Sequence, residues 1–163
     1  MAIRRAKSVE DVQRVIYYLI SKLTSATSPW TKWDVVLGYP DTQVFENFDK
    51  PFIYVMAPIV IDKVWQMAGK PVFLWQMTLG CWDDRKTGGD EMINIMGSTM
   101  LDFFTDPQTC HTQQFDVTIG GTVYTDTTLV NQGVMVTDIN GPFPRFTEDM
   151  QEFRTESDLL LKA

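Results

Sequence analysis

An α+β fold, with a mostly antiparallel sheet and two main amphipathic helices packed on it, is predicted by three features of this chain. Val9 to Leu23 sets apolar residues at three- and four-residue spacings, the pattern of a helix with one buried stripe. Pro71 to Phe104 reads as strand, polar turn and second helix, a β-α unit whose apolar surfaces must be covered by another layer. The remaining apolar runs are short, rich in β-branched and aromatic residues and punctuated by Gly, Pro and Asn, as antiparallel strands are. The order helix, strands, helix, strands has no internal repeat and predicts one domain over residues 1–163.

Ser8-Val9-Glu10-Asp11 resembles a capping box, with Ser8 as N-cap and Asp11 where Glu or Gln is commoner. Val12, Val15, Ile16, Leu19, Ile20 and Leu23 form the buried stripe, and Ser25 to Pro29 ends it. From Ser25 to Gln43 the chain is expected to be irregular and is treated as an insertion. Its Trp30, Trp33 and Tyr39 sit among Pro and Gly, either as an exposed contact or as a flap over the core. If they form a contact, replacing both Trp residues by Ala would impair assembly and leave the circular dichroism unchanged.

Val44 to Phe48 reads as a short strand or turn, and Pro51 to Ile61 as one strand. Pro58 cannot donate a ladder hydrogen bond, so that strand lies at an edge or carries a bulge there. Asp62 to Lys70 should turn the chain back into the strand Val72 to Trp82, and Asp90 to Phe104 is the second helix, with Met92, Met96 and Met100 on its core stripe. Asp106-Pro107 stops that helix. Gly120-Gly121 between two alternating runs signals a two-residue hairpin, since glycine adopts positive φ at little cost. Gln132 to Ile139 is a strand, Asn140-Gly141-Pro142 a turn and Phe153 to Leu161 a terminal strand.

The 163 residues carry a net charge of −7 and are 44% hydrophobic, enough for a core and contrary to a nucleic-acid surface, which needs clustered Lys and Arg. The single basic cluster is the terminal Arg4-Arg5-Lys7. The start Met1 to Lys7 has no apolar core of signal-peptide length behind it and no window approaches the roughly 18 apolar residues of a membrane span, so a soluble protein made in the cytoplasm is expected. Cys81 and Cys110 are too few for a disulfide framework and are read as reduced. His111, the single histidine, is read as structural or solvated, and with it go most zinc sites, which need three or four N and S ligands. Asp83-Asp84 and Asp90-Glu91 bracket Gly88-Gly89 without the spacing of a phosphate loop or calcium loop, and are read as a solvated turn into a helix. No catalytic residue, metal ligand or cofactor is predicted.

In layout the chain resembles the tail terminator, or tail-completion, family of tailed bacteriophages. The resemblance rests on the first helix Val9 to Leu23, the strand around Phe52 to Ile61, the strand Val72 to Trp82 leading through Asp83 to Gly89 into the helix Asp90 to Phe104, the hairpin Val117 to Tyr124, and the late strand from Phe153 to Leu159. It implies a non-catalytic virion protein, made in the host cytoplasm, that caps the tail tube as a ring of six and joins tail to head. Its partners would be copies of itself, the tail tube protein and a head-proximal neck or connector protein, with DNA passing through the channel without specific binding; no membrane is involved. A ring subunit needs two different surfaces, for which edge strands such as Pro51 to Ile61 and the terminal strand are natural candidates, and candidate partner-interface residues are Trp30, Trp33, Tyr39, Phe52, Tyr54 and Phe143. The longer segments Ser25 to Gln43 and Thr125 to Phe146 depart from the smaller members and leave room for a neck or stopper protein. A reading from another class is a small ligand-binding α+β domain with a pocket between the sheet and the Ser25 to Gln43 flap.

Overall fold

Ser8 opens the first helix, α1 (Val9–Ala26), by accepting a hydrogen bond from the Asp11 amide at 3.0 Å. The structure is a computed structural model that describes residues 8–38, 50–65, 71–84, 89–146 and 152–163. Glu10 and Asp11 occupy the first turn, where acids suit the helix dipole, and Arg14 reaches back to Glu10 at 2.6 Å. All six residues of the expected stripe are buried.

The chain then departs from the irregular loop expected for residues 25–43. A 3-10 turn, Trp30–Lys32, leads into β1 (Asp34–Leu37), which pairs in parallel with β2 (Phe52–Val55). Gly38, at φ +87°, ends β1. The Val35-Val36-Leu37 run supplied the strand signal, and the neighbouring Pro and Gly residues masked it. The expected element at Val44 to Phe48 lies outside the described residues.

The single strand expected from Pro51 to Ile61 is two, β2 and β3 (Ile59–Trp65), set end to end along one edge of β4 (Pro71–Asp84). Phe52–Val55 faces Trp82–Leu79 and Ile59–Trp65 faces Gln76–Pro71, while the Met56 amide donates to the Thr78 carbonyl at 3.1 Å across the break. Pro58 sits in that break, where no ladder donor is required. β3 also runs on to Trp65, into the segment expected to turn, with a register shift between Val60 and Asp62.

β8 (Glu152–Lys162) pairs antiparallel with the other edge of β4, from Leu74–Lys162 to Asp84–Glu152, and β7 (Met135–Phe146) pairs antiparallel with β8. The sheet order is β1-β2-β4-β8-β7, with β3 also on β4. Here the expected turn at Asn140-Gly141-Pro142 is absorbed into β7. The register slips between Asn140 and Phe143, and Gly141, at φ +131°, lies so close to β8 that a Cβ would meet Ser157 Oγ at 2.9 Å and the Glu156 carbonyl at 3.0 Å. The first residues of the expected strand, Gln132 to Val134, belong instead to a turn closed by bonds to Thr128, Leu129 and Val130.

α2 (Gly89–Thr105) lies over β4, β7 and β8, as the β-α unit required. Met96 and Met100 are buried and Met92 packs beside them. Asp106-Pro107 ends α2 but does not leave a loop: Asp106 caps a further helix, α3 (Pro107–Thr112), with Pro at its first turn. The hairpin of β5 (Phe115–Ile119) and β6 (Thr122–Thr127) forms a separate two-stranded sheet, turned by Gly120 and Gly121 at φ +58° and +80°. Its Phe115, Val117 and Ile119 join the main core, with α1 packed against both β5 and β1.

His111 lies on α3, and its Nε2 accepts the Val136 amide of β7 at 2.9 Å. Burial lowers its pKa from the ordinary 6.5, so the fold holds the neutral ring. The histidine's contribution is therefore complete above pH 6.5 and is lost as pH falls from there through the lower folded value. Because the ring is partly exposed, the effect is a fraction of the roughly 1 kcal/mol of one hydrogen bond. Thermal unfolding followed from about pH 7 to 5 should show this loss in the native chain and not in His111→Gln, whose side chain stays uncharged over that range.

Candidate assembly surfaces

Of the six residues singled out for a partner interface, the fold puts four in its interior. Trp30 and Trp33 are 3% and 1% exposed. Their rings meet edge to face at 5.7 Å, and Trp30 meets Phe103 of α2 in the same way at 5.7 Å. This corrects the reading of the pair as an exposed contact: the 3-10 turn packs on α1 and both indoles join the main core, Trp33 against Trp30 and Trp30 against Phe103 of α2.

Phe52 and Tyr54 are also fully buried. On β2 they alternate with Ile53 and Val55, which enter the core under the helices, so Phe52 and Tyr54 form a second cluster with Trp82 on the other face of the sheet. Phe52 stacks on Trp82 at 4.9 Å and 24°. Tyr54 lies across Gly80 and its hydroxyl donates to Glu156 at 2.8 Å, spanning three strands. These residues hold the sheet together rather than face a partner.

Phe143, on β7, is exposed, and Tyr39 lies outside the described residues. Of the two edge strands expected to carry a ring contact, the terminal strand β8 is instead interior, between β4 and β7, and the run Pro51 to Ile61 does supply an open edge, on β3. Ile59, Val60 and Ile61 are 61%, 47% and 45% exposed, three consecutive large aliphatic side chains on a strand that pairs only with β4 among the described residues. Among the described residues β1 covers the β2–β3 line only as far as Val55, whose carbonyl accepts the Gly38 amide at 2.8 Å. Pro58 already marked this run as an edge or bulged strand, and Asp62 and Lys63 directly after it agree.

The opposite end of the sheet is built differently. β7 carries Pro142 and Pro144, Asp138 and two register shifts, features that discourage another strand from adding there. The hairpin presents a second open strand, β6, with Val123 63% exposed and Thr122, Thr125 and Asp126 also exposed. Asp126, at φ +49°, is held by its amide bond to the Asp116 carboxylate at 2.9 Å.

The chemistry of the remaining groups is quiet. Burial pushes the Cys81 thiol up to about 12 and the Cys110 thiol up to about 11, so neither ionises near neutral pH. Among the described residues no group of three or more His, Cys, Asp or Glu side chains is placed to hold a metal ion, and no helix is long and apolar enough to cross a membrane. Neither protein-family models nor curated protein sequences match this chain.

Proposed function

We propose that this chain is a structural subunit that self-assembles into a closed ring, and that the ring caps a bacteriophage tail tube and joins it to the head, as a tail terminator or a related neck protein does. The observation that carries this reading is the open β3 edge. An edge strand that, among the described residues, pairs on one side only and bears three exposed aliphatic residues is a liability in a monomer and an asset in an assembly. A head-to-tail ring also needs two unlike surfaces on each subunit, and the chain has open strands of different character in its two sheets. The layout of helices and strands that resembles the terminator family supports the same reading, and the virion is the location that follows from it. The tail tube protein, a head-proximal connector and passing DNA are the partners this function requires.

Light scattering over a concentration series, with negative-stain images, tests the proposal. The expected result is a closed species of about six subunits. Val60→Lys, which puts a charge on the exposed edge, should leave the circular dichroism unchanged and shift the population to monomer. A chain that stays monomeric at every concentration and does not assemble on tail tubes would overturn the ring.

A further inference from the structure

Resting on that ring reading, we infer that the open edge of β3 in one copy takes β6 of a second copy as an added strand. Both strands have an open edge among the described residues: neither contains proline, and both expose β-branched residues, Ile59, Val60 and Ile61 on one and Thr122, Val123 and Thr125 on the other. Each strand has its other edge occupied, β3 by β4 and β6 by β5, so the pairing adds a strand without breaking either sheet.

Side-chain matching selects the register. A parallel alignment that sets Val60 against Val123 also sets Ile59 against Thr122 and Ile61 against Tyr124, apolar or methyl-bearing surface on its like. The same alignment brings Lys63 opposite Asp126 and leaves Asp62 opposite Thr125, so charges are complementary and no like pair is opposed. Lys63 also has contacts in its own chain; the Asp126 carboxylate, on a hairpin with no basic residue between Phe115 and Thr127, adds to them. The antiparallel alignment that keeps Lys63 opposite Asp126 runs Ile59, Val60 and Ile61 past the end of β6 at Thr127. Because β3 and β6 are different elements, the contact is head to tail, and it repeats from copy to copy.

Cysteine pairing tests this directly, because Cys81 and Cys110 are fully buried and an introduced surface cysteine is the accessible thiol. Val60→Cys and Val123→Cys, both at exposed positions, are made in separate chains, mixed, and oxidised with oxidised glutathione. The mixture should give a disulfide-linked dimer at least about tenfold in excess of either variant alone, since pairing raises the local thiol concentration. The chain carrying both substitutions should give a ladder of linked species that ends at the closed ring. Lys63→Glu should lower the yield about fivefold and Asp126→Lys should restore it when combined, the range of an exposed ion pair. A ladder without a closed member would uphold the strand pairing and overturn the ring. Large particles by light scattering without the link would overturn the pairing and leave the ring. A monomer without the link would overturn both.

Discussion

Gly80→Ala should destabilise the protein by about 3 kcal/mol or more, the upper end of what overpacking a core costs. A Cβ on Gly80 would fall 1.8 Å from Tyr54 Cζ and within 2.3 Å of both ring Cε atoms, distances no packing tolerates. The ring has little freedom to retreat. It is fully buried, its strand is paired on both sides, and its hydroxyl is tied to Glu156 at 2.8 Å. A glycine in the middle of a long central strand is normally a weakness, and here the tyrosine from the next strand covers it. Urea unfolding of the variant measures the loss. Its cause is tested by Tyr54→Ala: this truncation alone should cost about 3 kcal/mol or more, as large-to-small changes in a core do. The double variant should then be no less stable than Tyr54→Ala alone, because the clash vanishes with the ring. Additive losses would show that the space over Gly80 is not what the glycine is for.

Trp33→Ala should cost about 3 to 5 kcal/mol, the range for removing a large aromatic side chain from a core. The indole is among the largest fully buried side chains and is braced by Trp30, which in turn leans on Phe103. Loss of Trp33 therefore loosens the aromatic packing that links the 3-10 turn to Phe103 of α2 through Trp30, and the near-ultraviolet circular dichroism should collapse together with the unfolding midpoint. Trp33→Phe should cost less than half as much. It keeps a ring in the site and removes an indole N–H that is buried without a hydrogen-bond acceptor among the described residues. An Ala variant as stable as the native chain, but impaired in assembly, would return Trp33 to the surface role that its Pro- and Gly-flanked setting suggests.

The same pair of tryptophans marks where local reading stops. Pro29, Gly38 and Pro40 around large aromatic residues look like an exposed loop, and within a window of that size nothing distinguishes a tryptophan that meets solvent from one that meets Phe103. Phe52 and Tyr54 were placed correctly on a strand and wrongly on a surface, because alternation tells that two faces exist but not that both are covered. The turn expected at Asn140-Gly141-Pro142 failed for a related reason. Its composition is that of a turn, yet β8 supplies a continuous ladder on which the extra residues are accommodated as a bulge.

Periodicity and capping are properties of neighbouring residues, so the sequence by itself determined the α+β class, the span and buried stripe of α1, the β4-to-α2 unit, the Gly120-Gly121 hairpin and the late strand β8. Exposure depends on residues far apart in the chain, and only the tertiary structure decided it. Among the described residues β1 pairs with β2 and not with β3, where Ile59, Val60 and Ile61 are exposed, while Trp30 and Trp33 pack into the core. The surface available to a partner among the described residues is therefore aliphatic and lies on a strand edge, where β3 pairs only with β4.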